Sequence, residues 1–330
     1  MSTAARTGSP RILVVRLSAL GDVIHALAAA ASLKHSFPGS HLTWLVAPRW
    51  ALLLDGNPFV DAVIQLDRTT VSGLWRARRD LRRERFDFAV DFQGLIQSAL
   101  AASLARVDRV FGFDRTSVRE TAAALFYSNV VRPSSKHVVD RNLDLAHAAG
   151  AGSILRVFPL PPGRPEGELP EGDFVLASPL AGWKAKQWPV ENYGRLAARV
   201  SGELGMPLVI NTPPGPSPPV PGTLANAGGL AGLIHATRRA CAVVGVDSGP
   251  LHLAAALGKP GVAIFGPTDP ERNGPYGGTI AALRSPRAAT TYARGAQIDP
   301  SMRDVSPDAV FEALYSRLRA HRDAVSQALR

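Results

Sequence analysis

Along this chain, short continuous apolar runs alternate with longer segments whose apolar positions recur every three or four residues. Arg11–Leu17 (RILVVRL) reads as a buried strand. A glycine-containing turn follows, then a helix from about Asp22 to Phe37 that Pro38-Gly39 stops. Further strands are read at His41–Ala47, Ala62–Leu66, Phe88–Phe92 and Arg109–Gly112, with helices over 72–85 and 94–105. Phe158–Asp173 (FPLPPGRPEGELPEGD) breaks the pattern and reads as an inter-domain linker. The alternation then restarts with strands at Phe174–Ala177, Pro207–Asn211, Ala242–Val246 and Gly261–Phe265. Helices over 190–204, 229–240 and 249–257 separate them, and a final helix runs from about Pro307 to Leu329. Strand–helix alternation of this kind means an α/β fold with parallel sheets covered on both faces. The expected organisation is a first domain over 1–160, a linker over 161–173, a second domain over 174–305, and a terminal helix over 306–330 that crosses back to the first domain. Open α/β sheets take ligands at the carboxyl ends of their strands, so the expected site is a cleft between the two domains.

Composition narrows the class. With 46% apolar and 19% charged residues, the chain is neither disordered, collagen-like nor a coiled coil. The single cysteine, Cys241, excludes a disulfide framework and a cysteine-based zinc site, and fits a reducing compartment. No apolar run approaches the roughly 18 residues a spanning helix needs. The four-residue apolar core before Arg16 is too short for a secretory leader, so a soluble intracellular protein is expected. The formal net charge is +10, and the first 157 residues hold 20 basic against 13 acidic groups. Nearly all the basic residues are arginine, which suits bidentate contact with phosphates and carboxylates. This charge favours an anionic ligand, a nucleic acid or a membrane surface without choosing among them. Aromatics are 7% and no RNA-binding signature accompanies the charge, which argues against nucleic acid.

Several turns could carry chemistry. In S18-A-L-G-D, Gly21 permits a tight turn and Asp22 stands on the first turn of a helix. Asp22 reads either as a cap that complements the helix dipole or as a functional carboxylate at the site's mouth. The turn lacks G-x-G-x-x-G, which removes the dinucleotide fingerprint. In V244-G-V-D-S-G-P-L-H, a strand delivers Asp247, and Ser248-Gly249-Pro250 opens a helix that carries His252 on its first turn. Free amides, a hydroxyl and the dipole converge there on a place fit for a diphosphate; the plain reading is a serine-capped turn. In S178-P-L-A-G-W-K-A-K-Q-W-P, Lys184 and Lys186 lie between two tryptophans. They read as phosphate-binding charges or as a solvated loop whose tryptophans pack in the core. G266-P-T-D-P-E-R-N-G-P-Y-G-G is a rigid loop of no stated ligand. The run W75-R-A-R-R-D-L-R-R-E-R-F reads as a solvated helix face with i,i+4 pairs or as a face toward anionic lipid or phosphate. No H-x-x-x-H, D-x-D or G-x-S-x-G string appears, so neither a metal site nor an α/β-hydrolase is expected.

These strings, with N57-P-F-V-D-A-V-I, D91-F-Q-G-L and F265-G-P-T-D-P, occur in an order that resembles family 9 glycosyltransferases, the ADP-heptose:lipopolysaccharide heptosyltransferases. The resemblance runs from Arg11 to about Gly278. It implies a GT-B fold of two Rossmann-like domains, with the acceptor bound by the first and the nucleotide sugar by the second. It further implies inverting, metal-independent transfer of heptose from ADP-L-glycero-D-manno-heptose to the Kdo–lipid A inner core. Asp22 matches the family's catalytic base. Lys186 matches its phosphate-binding lysine, and Asp247, Ser248, Gly249 and His252 match its donor loop. Gly21, Gln93, Arg119 and Glu120 fall on the acceptor side, and S117-V-R-E-T with L125-F-Y resembles the heptosyltransferase I subgroup. The resemblance implies no cofactor beyond the ADP-sugar substrate. Its implied partners are a lipid-linked anionic saccharide and the cytoplasmic face of the inner membrane, by peripheral contact. Other family members, such as heptosyltransferase II, differ in acceptor or sugar. One segment departs from the family: T212-P-P-G-P-S-P-P-V-P-G carries no Glu or Asp where the family has a glutamate that helps hold the ribose.

Overall fold

The computed structural model describes residues 9–215, 219–291 and 293–328. It divides into two compact units, Met1–Pro161 and Pro162–Arg330.

The first unit is built on a parallel sheet of β1 (Arg11–Val15), β2 (His41–Val46), β3 (Ala62–Gln65), β4 (Phe88–Asp91), β5 (Val110–Phe113) and β6 (Asn129–Val131). The strands stand in the order β3-β2-β1-β4-β5-β6. Helices α1 (Leu20–Ser36), α2 (Val71–Arg83) and α3 (Ile96–Leu104) connect successive strands, and α4 (Val138–Ala148) follows the last. Leu13 and Val15 of β1 join a core with Ala77 and Leu81 of α2 and Ala99 and Ala102 of α3. The alternate residues Ile12 and Val14 are equally buried, as expected for a strand covered on both faces. Helix α1 packs on α4 and is buried from Leu20 to Leu33 except at Asp22. Its HALAAAASL sequence makes this possible, because small apolar side chains all round let a helix lie inside the protein. The sequence motif N57-P-F-V-D is structural here. Asn57 bonds the Pro159 carbonyl at 3.2 Å, and Asp61 takes Lys34 Nζ at 2.6 Å and the Leu42 amide at 2.6 Å.

The second unit repeats the plan. Its parallel strands are β7 (Val175–Ser178), β8 (Leu208–Thr212), β9 (Leu224–Ala227), β10 (Ala242–Val246), β11 (Gly261–Phe265) and β12 (Ile280–Arg284). Their order, β9-β8-β7-β10-β11-β12, is the first unit's order again, that of a dinucleotide-fold sheet. Helices α5 (Val190–Leu204) and α8 (Pro307–Ala328) share one core with this sheet. Helices α6 (Leu230–Arg239) and α7 (Gly249–Ala256) share the other. The helix read as crossing back, α8, makes its contacts with α5 and with β10, β11 and β12 of the second unit. Arg199 of α5 fastens it by bonds to Asp308 at 3.1 Å and Glu312 at 3.0 Å, and by stacking on Phe311. The segment read as a linker is anchored in its second half. The Arg164 amide bonds the Ala231 carbonyl at 3.1 Å, and Glu166 takes the Gly229 amide at the start of α6 at 2.6 Å.

Candidate active site

In the first unit, the candidate residues gather at the carboxyl ends of β1 and β4, where the strand order reverses direction from the centre. Arg16, just past β1, is buried, with 6% of its surface exposed. One guanidinium nitrogen bonds the Phe92 carbonyl after β4, and the other stands 2.7 Å from Asp22 Oδ1. The second carboxylate oxygen of Asp22 accepts the Ala19 amide at 3.1 Å. Asp22 therefore performs the capping expected of it while Arg16 fixes its orientation. Its side chain stays about one-third exposed, open to a further partner.

Gln93 braces the same turn: its Oε1 accepts the Leu17 and Ser18 amides at 3.0 and 3.1 Å. Behind it, the fully buried Asp91 accepts four bonds, from the Gln93 and Gly94 amides, the Ser98 hydroxyl and the Tyr127 hydroxyl, at 2.8, 3.3, 2.8 and 2.7 Å. Burial pushes the Asp91 carboxyl above its ordinary range, outweighing those neutral donors. The same burial, together with the facing Asp91, pushes the Tyr127 phenol up as well. Two glycines make this arrangement possible. Gly94 has φ +68, and a Cβ there would lie 2.9 Å from Val118 Cγ2, so the D-F-Q-G turn passes beneath the S117-V-R-E segment. At Gly112 a Cβ would lie 2.2 Å from the Tyr127 ring, which occupies that place. Arg119 is exposed above Gly94. Glu120 turns its carboxylate onto the Ile96 amide at 2.7 Å, at the N-terminus of α3.

In the second unit, Lys186 follows β7 and Asp247 follows β10, again the central pair of strands. Lys186 Nζ bonds Asp247 Oδ2 at 3.0 Å and lies 4.5 Å above the Trp183 ring. His252 Nε2 stands 3.6 Å from Asp247 Oδ1, an electrostatic contact longer than a formed hydrogen bond. Burial raises the Asp247 pKa, but His252 and Lys186 outweigh it and bring the carboxyl down to about 2. Ser248 occupies the N-cap of α7, yet its hydroxyl caps nothing and has no hydrogen-bond partner among the described residues. Gly249 opens the helix. Trp188 is a core residue that donates to the Val305 carbonyl at 2.9 Å. Trp183 instead forms the half-buried floor under Lys186, with Arg294 over the same ring at 5.7 Å. Lys184 is exposed. Among the described residues, no group of three or more His, Cys, Asp or Glu side chains is placed to hold a metal ion, and no helix is long and apolar enough to cross a membrane.

The family model described as glycosyltransferase family 9 (heptosyltransferase) matches residues 74–209 and 221–298. The chain belongs to glycosyltransferase family 9. Lipopolysaccharide heptosyltransferase 1 of Pseudomonas aeruginosa is 32% identical over 304 residues, covering 83% of this glycosyltransferase and 84% of the relative. Lipopolysaccharide heptosyltransferase 1 of Escherichia coli is 27% identical, covering 84% and 94%. Among solved structures, Escherichia coli heptosyltransferase WaaC with ADP matches with a TM-score of 0.75 at 24% identity, covering 93% of this chain and 99% of that one. These neighbours share the GT-B fold of two parallel-sheet halves expected from sequence.

In this family 9 chain, the residues read from sequence separate into two groups. Lys186, Asp247 and His252 form one cluster at the start of α7, with Ser248 and Gly249 beside it. Gly21 and Asp22 stand on the first turn of α1 and Gln93 braces Leu17 and Ser18 just before it, while Glu120 is engaged by the Ile96 amide. Arg16 was not singled out from sequence, although a lone arginine inside RILVVRL is a visible signal: buried charge needs a partner. Neither Trp183 nor Thr268, a buried hydroxyl without a partner among the described residues, is marked out by its motif: the first stands in a string whose lysines carry the signal, the second in a rigid loop of no stated ligand. Of the glutamate-free segment after β8, Pro216, Ser217 and Pro218 lie outside the described residues.

Proposed function

We propose that this glycosyltransferase transfers a heptose from an ADP-heptose to the lipopolysaccharide inner core, as a heptosyltransferase of type 1. The observation that carries the reading is the Lys186–Asp247–His252 cluster at the N-terminus of α7. Transfer leaves negative charge on the departing diphosphate. Lys186, His252, the Ser248 hydroxyl and the amides opening α7 are donors suited to that charge without a metal. Asp247 is the counter-charge that orients Lys186 and His252. Trp183 gives Lys186 an apolar floor on which its ammonium stays defined. In the first unit, Asp22 removes the proton of the attacking acceptor hydroxyl. Arg16 and the Ala19 amide fix its carboxylate from two sides, so the base is held before substrate arrives. A single carboxylate acting as base, with no second as nucleophile, gives one displacement and inversion at the sugar. Arg119, exposed at the same edge, suits an anionic acceptor such as Kdo–lipid A.

Titration calorimetry with ADP and ADP-heptose in the absence of divalent metal tests the donor half. Wild type is expected to bind both, and Lys186→Ala to bind about 10- to 100-fold more weakly, the worth of one charged hydrogen bond. Failure of wild type to bind either ligand would sink the assignment. For the acceptor half, Asp22→Asn is expected to lower kcat by about 10²–10⁴ while ADP affinity stays unchanged. Full turnover in that variant would remove Asp22 as the base.

A further inference from the structure

The layer formed by α2 and α3 on one side of the first sheet has an outer surface that the site does not use. Inward, α2 buries Gly73, Ala77 and Leu81. Outward, at the helix start, Val71 is 72% exposed, Leu74 46% and Trp75 66%. On α3, Ile96, Leu100 and Leu104 follow one another at i, i+4 and i+8, each more than 40% exposed. The two helices contact each other and share one core beneath, so their outer faces are neighbours. A monomeric surface seldom leaves large apolar groups together in this way without a use.

The charge beside these groups identifies the use. Trp75 shares its side of α2 with Arg78, Arg79 and Arg82, which stand three, four and seven residues on. Asp80, the acid of this helix, is taken by Arg79 and Arg83 at 3.2 and 3.3 Å. Arg78 and Arg82 make no hydrogen bond or ion pair among the described residues. A tryptophan and leucines bordered by uncompensated guanidinium groups fit the interface of an anionic bilayer, apolar groups below the headgroups and arginines among the phosphates. A protein partner of apolar character would leave the arginines unmatched. The starts of both helices also lie at the carboxyl edge of the sheet, where Gly94-Leu95-Ile96 runs on directly from Gln93.

We propose that the outer face of α2 and α3 docks this enzyme on an anionic phospholipid membrane and so brings the acceptor turn to a lipid-linked saccharide. The inference deepens the heptosyltransferase reading and rests on it for the nature of the acceptor; vesicle binding is measured independently of transfer. The full chain is sedimented with vesicles containing phosphatidylglycerol and with vesicles of phosphatidylcholine alone. Binding is expected to the first and not to the second, and to fall as salt rises. Arg78→Gln with Arg82→Gln should weaken it about fivefold for each arginine, from roughly 1 kcal/mol per charge at such a surface. Trp75→Ala should weaken it again. Each variant should keep wild-type ADP affinity and wild-type turnover on a deacylated, water-soluble acceptor, while its KM for acceptor embedded in vesicles rises. Equal binding to both vesicle types, or variants that sediment like wild type, overturns the proposal. So does a dimer in solution that Leu100→Glu dissociates, without vesicle binding. Vesicle binding that follows the variants as expected, with no transfer to either acceptor, supports the docking face and defeats the functional reading alone.

Discussion

Each half of the molecule places an aspartate at the carboxyl end of its fourth strand, beside the turn that follows its first strand. In each half that aspartate is buried, Asp91 fully and Asp247 with 6% exposed. Their surroundings differ in sign. Asp91 receives two amides and two hydroxyls, all neutral, and burial wins: its carboxyl is pushed up. Asp247 receives an ammonium and an imidazole, and these win: its carboxyl is brought down to about 2. The shared strand order sets where a carboxylate can stand; the donors supplied by the neighbouring turn set what that carboxylate is. Asp91 acts as the knot of a network of neutral donors that shapes the turn from Asp91 to Gly94. Asp247 acts as the fixed charge that holds Lys186 and His252 together at the start of α7.

The comparison breaks most visibly if the cation is removed. Lys186→Met should cost roughly 3 kcal/mol in urea unfolding at pH 7, because one member of a buried pair is left behind. A cost under about 1 kcal/mol would mean that the two groups are not coupled. Acid titration comes next. With its folded pKa depressed to about 2, Asp247 contributes about 2 kcal/mol that is fully present above pH 4 and lost as pH falls from 4 toward 2. Lys186→Met should shrink that component and leave the part owed to His252. Tyr127→Phe should cost about 1 kcal/mol by removing one hydroxyl from Asp91. Asp91→Asn should have the smallest effect at neutral pH, and its signature is a slope. A raised folded pKa gives stability that is present below the unfolded value and lost as pH rises through the folded one. Wild type should lose stability from pH 4 upward on this account, and the Asn variant should not. If unfolding followed from pH 4 to 8 shows parallel curves, the neutral network does not behave as described.

Much of this was legible in the sequence because it lay in continuous apolar strands joined to turns of distinct composition. The central strands β1, β4, β7, β10 and β11 were readable from their own residues, since strands buried on both faces are apolar throughout. Of the edge strands, β3 was read at Ala62–Leu66, but β6, β9 and β12 were not. Asn129–Val131, Leu224–Ala227 (LANA) and Ile280–Arg284 (IAALR) carry little strand character and owe their form to the neighbour they pair with. Helix α4 was missed because VVDRNLDLAHA mixes polar and apolar positions without a strong stripe. The Lys186–Asp247–His252 cluster was legible because D-S-G-P-L-H and W-K-A-K are compact strings. The internal duties of Gln93 and Glu120 were not, because accepting a backbone amide from a distant turn leaves no mark in local sequence.

The repeated strand order has a consequence for how such a chain can change. Among the described residues every strand pairing is made inside one half, and the break between halves falls at Pro161–Pro162. A recombination joint at that point cuts no ladder and opens neither core. Each sheet thus passes whole through such an exchange, and two chains of this family can trade halves without breaking a strand ladder.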